Sequence, residues 1–250
     1  MNNIPAMKSI KNLRNLLPLL AVSLSLASCE SDNWHNIRGT GPVISETRIV
    51  PNFRDLSVSI PADVYIYQGQ EKDLTIEAQS DILDAIETYV SGSGLNIGLE
   101  EGAGLGSHEP IKIYISSAMY NTIRLSGSVN LFSETVIVTD DFDISISGSG
   151  NVDVAVDANT VRASISGSGK MWLEGVTITE EFTVSGSGDI YSFGLYSETS
   201  DISISGSGNT EVSVAEFLKA RISGSGSIYY QGYPDVDSRI SGSGNVIHVN

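Results

Sequence analysis

Asp140, Asp141 and Asp143 place three carboxylates close together, and Asn151 with Asp153, Asp189, and Asn209 with Glu211 recur further along the chain. Oxygen-rich clusters on β-rolls can hold calcium between coils. The glycine-rich nonapeptide of calcium-binding β-rolls is missing, however, so the expectation is that no metal is bound. His35, His108 and His248 are far apart and lack metal-ligand spacing. Serines are plentiful, yet no Gly-x-Ser-x-Gly elbow stands between a strand and a helix. Paired carboxylates could do acid–base work on a glycosidic bond. A lyase for acidic sugars would also need a basic cluster, and Arg162, Lys170, Lys219, Arg221 and Arg239 stand singly among acids. No catalytic residue and no cofactor are therefore expected, with a β-helical polysaccharide-processing enzyme kept as an alternative.

One residue has a definite chemical fate. Cys29 is the single cysteine, and it follows Leu26-Ala27-Ser28 at the end of an apolar stretch that begins at Leu16. Lys8, Lys11 and Arg14 precede that stretch. The pattern resembles a bacterial lipobox, which assigns residues 1–28 to a lipoprotein signal peptide and Cys29 to lipidation. With one cysteine no intramolecular disulfide can form. Residues 29–46, which include the Gly41-Pro42 break, read as a tether. Glu30 and Asp32 resemble the acidic signals that send some lipoproteins outward.

The chain has 250 residues and a formal charge of −16, and loss of the three bases in the signal peptide makes it −19. Such a surface repels phosphate backbones, which excludes nucleic acid as a partner. Abundant β-branched residues argue for a folded body rather than disorder.

The elements that position everything else are repeats. Ser-Gly-Ser-Gly stands at 147–150, 166–169, 185–188, 205–208, 223–226 and 241–244, after a degenerate copy, Ser126-Gly127-Ser128-Val129. Successive starts are 21, 19, 19, 20, 18 and 18 residues apart. A fixed period of this size marks a solenoid. Within one unit Ile144, Ile146, Val152, Val154 and Val156 alternate with polar residues, which is strand periodicity. Gly148 and Gly150 then share the aliphatic face and Ser145, Ser147 and Ser149 the other. The glycines either permit positive φ at a corner or let one coil approach the next. The serines read as a hydroxyl ladder that satisfies corner backbone and bonds between coils, with a ligand strip as the alternative.

The expected fold is all-β: a right-handed parallel β-solenoid with coils of about 18–21 residues over 126–250. Residues 47–125 read as an N-terminal β region, either a cap or irregular first coils. Period-2 runs lie at Leu56–Ile60, Val64–Tyr67, Leu74–Ala78, Leu95–Leu99 and Ile111–Ile115, and one short helix begins at a capping Ser80.

Phe53-Arg54-Asp55-Leu56, Val64-Tyr65-Ile66, Gln68-Gly69, Leu74-Thr75-Ile76 and Leu125-Ser126-Gly127-Ser128, followed by the repeated phrase, resemble the auto-transporter adhesin, head GIN domain family over about residues 48–248. The family comprises secreted or lipid-anchored β proteins common in Bacteroidetes. The resemblance implies a β-solenoid-like fold, an adhesive or surface-binding role and no catalytic residues. The combined expectation is a lipid-anchored lipoprotein of the cell envelope and outer membrane, held to the membrane by its anchor and binding a glycan or protein. Tyr191, Tyr196, Tyr229, Tyr230 and Tyr233 could supply aromatic contact. A purely structural envelope protein that self-associates as a homo-oligomer is the third reading. Ligand identity and a periplasmic or outward face stay open.

Overall fold

Alternating aliphatic and polar residues make strands, and glycine-containing corners stack those strands in register. The computed structural model describes residues 35–70 and 74–250. The signal peptide assigned to 1–28 and the lipidation site Cys29 lie outside the described residues. In chain order the strands are β1 (His35–Ile37), β2 (Val43–Arg48), β3 (Asp55–Val58), β4 (Asp63–Gln68) and β5 (Leu74–Gln79). A helix, α1 (Ser80–Ala85), leads into β6 (Ile86–Ser91), β7 (Gly94–Leu99), β8 (Ala103–Leu105) and β9 (Lys112–Ser117). Then come β10 (Thr122–Gly127), β11 (Asn130–Ser133), β12 (Ile137–Gly148), β13 (Asn151–Gly167) and β14 (Lys170–Gly186). The last are β15 (Asp189–Gly206), β16 (Asn209–Gly224), β17 (Ser227–Gln231), β18 (Asp235–Gly242) and β19 (Asn245–His248).

The result is a parallel β-solenoid of about seven turns with an irregular N-terminal region. One inner column runs Leu95, Leu56, Ile123, Ile144, Ala163, Phe182, Ile202, Ala220, Ser238, each residue paired to the next in parallel register. A second runs Ile113, Val64, Leu131, Val152, Met171, Ile190, Thr210, Ile228, Val246 on the facing run of each coil. All but Ser238 and Val246 in these columns are buried. Each buried aliphatic contributes roughly 1.5–3 kcal/mol, and only neighbouring coils provide the burial.

The coil length follows from its parts. Asn151–Ala158 pairs on one face, Asn159 makes a bend that is skipped in the register, Thr160–Gly167 pairs on the other face, and Ser168-Gly169 turns the corner. The Thr177 hydroxyl donates to the Asn159 and Thr179 carbonyls across the bend, at 3.1 and 3.0 Å.

The two glycines of the phrase have different jobs. The first takes positive φ, 139° at Gly148 and 135° at Gly206. The second has no such requirement. It is buried, and a Cβ on Gly150 would sit 1.9 Å from the Val129 carbonyl oxygen. Both explanations for the glycines therefore hold, one for each residue. The corners are joined by main chain rather than by the expected hydroxyl ladder. The Ser168 N–H donates to Gly148 O and the Ser187 N–H to Gly167 O, both at 2.9 Å. The serines at these corners point outward and are exposed.

Two expectations need correction at the N-terminal side, and the choice between a cap and irregular first coils for residues 47–125 is resolved. The supposed tether carries strands: β1 pairs with β8, and β2 pairs antiparallel with β5 along its whole length. Arg48 completes this attachment, donating to the carbonyls of Leu83 and Ile86 at 2.9 and 2.6 Å. Ser80 does not cap its helix. Gln79 holds the cap position without a side-chain bond, and the chain turns into β6 after one and a half turns. The stack also starts before residue 126. β3 and β4 form a regular level lying between the β7/β9 level and the β10/β11 level, so the first coil in sequence is not the first in space. The β7/β9 level is then covered by β6 and β5, both running antiparallel.

Candidate ligand-binding face

Parallel register puts equivalent outer residues one strand spacing apart, about 4.7–4.9 Å. One outer column reads Tyr114, Tyr65, Phe132, Asp153, Trp172, Tyr191, Glu211, Tyr229, Ile247. Aromatic planes stack along it, Tyr65 on Tyr114 at 5.1 Å, Tyr65 on Phe132 at 5.4 Å and Trp172 on Tyr191 at 5.2 Å between ring centroids. Single carboxylates interrupt the rings. Asp153 separates Phe132 from Trp172 by two levels, about 9–10 Å in strand spacings. Glu211 separates Tyr191 from Tyr229 in the same way.

The column adjoins a local irregularity. Between β14 and β15 the register shifts, so that Trp172 pairs with Tyr191 but Glu174 pairs with Gly194. One extra residue sits in β15, a β-bulge of the kind that re-aims side chains. A shallow hollow of about 220 Å³ lies there, lined by Asp153, Trp172, Glu174, Tyr191, Phe193 and Glu211 among others. Burial and neighbouring Asp189 hold the Glu211 carboxyl above its ordinary value. The Tyr191 hydroxyl is likewise pushed up, by burial and then by Asp189. Aromatic faces, carboxylate acceptors and no base make a surface for sugar C–H faces and hydroxyls, and a poor one for anions.

Of the tyrosines expected to offer contact, Tyr191 and Tyr229 lie in this column. Tyr196 is 65% exposed and pairs with Val176 on the same outer face. Tyr230 packs against the core, and Tyr233, 89% exposed, stands against His248 in the final coil. Sequence reasoning did not single out Trp172, Phe132 and Phe193 for contact. The signal for the bulge was the 20-residue spacing between Ser185 and Ser205, flanked by units of 19 and 18.

The oxygen clusters have structural partners. Asp189 accepts from both the backbone and side-chain amides of Asn209, and Asn151 donates to Asn130, which donates to Asp63. Asp141 and Asp143 share Arg162, at 3.3 and 3.7 Å, with Glu181 on its other side at 3.3 Å. These acids are thus spoken for by a cation on the Thr160–Gly167 face. Among the described residues no cluster of three metal-ligating side chains occurs. His108 faces the Glu109 carbonyl near the first level and His248 stacks on Tyr230 in the last, so these two are not brought together. No helix among the described residues is long and apolar enough to cross a membrane.

The fold is shared with solved structures of low sequence identity. A "putative adhesin" from Bacteroides fragilis superposes with a TM-score of 0.80 at 22% identity, over 86% of this chain and 100% of the other. A "putative lipid binding protein" from Parabacteroides distasonis gives 0.75 at 22% identity, with the same coverages. A "putative adhesin" from Parabacteroides merdae gives 0.70 at 19% identity, over 86% of this chain and 99% of that one. No curated protein matches. The model of one family spans residues 52–234, from the first buried strand to the last full coil, and the chain belongs to that family, "Putative auto-transporter adhesin, head GIN domain".

Proposed function

We propose that this protein is a lipid-anchored, non-catalytic recognition module of the cell envelope that binds neutral glycan chains through the outer aromatic column. The observation that carries the reading is the Trp172–Tyr191 stack beside the bulge hollow, bounded by Asp153, Glu174 and Glu211. Rings give C–H/π contact to sugar faces, and carboxylates accept hydroxyl protons. A formal charge of −16 disfavours acidic polysaccharides. Family membership supports an adhesive role, and the sharing of Asp141 and Asp143 with Arg162 speaks against a free catalytic carboxylate pair.

Glycan-array binding followed by titration calorimetry tests it. Trp172→Ala should lower affinity for a neutral glycan roughly tenfold, the equivalent of about 1.4 kcal/mol, without changing the melting temperature by more than a degree or two. Equal binding by Trp172→Ala and wild type would sink the proposed site. Anchoring is tested separately. Cys29→Ser should move the protein from the membrane fraction to the soluble one, because acyl chains contribute about 0.8 kcal/mol per buried methylene and no other anchor is implied. A variant that stays with the membrane would refute lipidation as the anchor.

A further inference from the structure

The final coil ends in an open edge. β18 pairs with β16, and β19 with β17, and no further strand covers either of them among the described residues. Val236, Ser238 and Ile240 continue the inner columns of Leu218, Ala220 and Ile222. Those three are buried, whereas Val236 and Ile240 are 41% and 46% exposed. Apolar inner side chains and a row of unpaired backbone groups thus face outward together, a template for another strand. The other end differs, since β5, β6 and β2 cover the β7/β9 level with antiparallel strands.

We infer that the occupant of this edge is a second copy of the same chain, paired antiparallel about a two-fold axis through Ser238. The strand is self-complementary in that one register. Val236 falls opposite Ile240 on the inner side, and Asp237 falls opposite Arg239 on the outer side. Neither Asp237 nor Arg239 forms an ion pair within the chain among the described residues, unlike Arg221 and Lys219, which both reach Asp201. Arg239 instead sits beside Arg221 in the register, a like-charge neighbour. The two-fold supplies the missing acid to each arginine and covers both half-exposed aliphatics. A closed pair of this kind is isologous, so assembly stops at two.

Disulfide trapping in the full chain tests the axis. Ser238→Cys puts two thiols opposite each other, within cross-strand reach, so membranes should yield a dimer band without reductant. Ser241→Cys, which faces Asp235, should give no more than wild type. Light scattering of the detergent-solubilised full chain should give twice the chain mass. Asp237→Arg sets like charges opposite and should weaken the dimer about tenfold or more, and adding Arg239→Asp should restore it. Restoration also shows that the single variant folds. Monomer mass for the wild-type chain, equal trapping at 238 and 241, an indifferent charge pair, or a ladder of larger species would each overturn the assignment.

Discussion

Gly208→Ala should strongly destabilise the stack. A Cβ at Gly208 would lie 1.9 Å from the Gly188 carbonyl oxygen and 2.7 Å from a Val184 methyl, with backbone on one side and core on the other. Neither can retreat without prising two coils apart. Overpacking of an ordinary core costs about 1–3 kcal/mol, and this site adds loss of corner hydrogen bonds, so more than ~3 kcal/mol is expected. The loss spreads because each coil is stable only on its neighbours. Urea denaturation should show a lower midpoint in one cooperative transition, whereas Gly69→Ala, with no atom of the described residues within 4 Å of the new methyl, should stay within about 0.5 kcal/mol of wild type. A Gly208→Ala variant as stable as the Gly69→Ala control would refute close coil approach as the reason for the second glycine.

The second large effect is a pH response set by Glu180. Its inner column holds Phe142, Val161, Glu180, Ser200 and Leu218, and its carboxyl is fully buried. Ser197 donates to Oε1 at 3.1 Å, while Oε2 has no hydrogen-bond partner among the described residues. Burial pushes the group from 4.5 to about 8, against the opposing pull of the Ser197 hydroxyl. The folded state therefore keeps this proton where the unfolded state has lost it. Stability from Glu180 is fully present below about pH 4.5 and falls as pH rises towards 8. The total is on the order of 5 kcal/mol. Glu180→Gln should flatten that slope and stabilise the protein most near pH 8. Urea midpoints measured from pH 5 to 8.5 for both chains check it, and parallel profiles would contradict a buried neutral acid.

Much of the architecture was legible because the phrase marks one corner per coil and Ile144, Ile146, Val152 and Val154 alternate around it. What stayed hidden has physical causes. The second bend, at Asp140 and Asn159, uses no glycine or proline, so no breaker announces it. Glu180 has the parity of an inner residue but the chemistry of an outer one. The placement of β3 between β7 and β10 depends on pairings over about 40 and 67 residues, which no local pattern encodes. The aromatic column was invisible for the same reason. Tyr65, Phe132 and Trp172 become neighbours of one another or of Asp153 only when the register is known. The bulge beside them did leave a trace, one added residue in a single unit.

The interleaved first level has a consequence for how the chain comes together. β3 and β4 cannot be enclosed on both sides until residues 122–133 have arrived, so the base stays unlocked while roughly half of the polypeptide is made. After that latch closes, every later turn settles on a finished platform. Turn number can then drift over evolutionary time by duplication or loss, leaving the foundation untouched, and the length of the stack becomes a tunable trait rather than a fixed one.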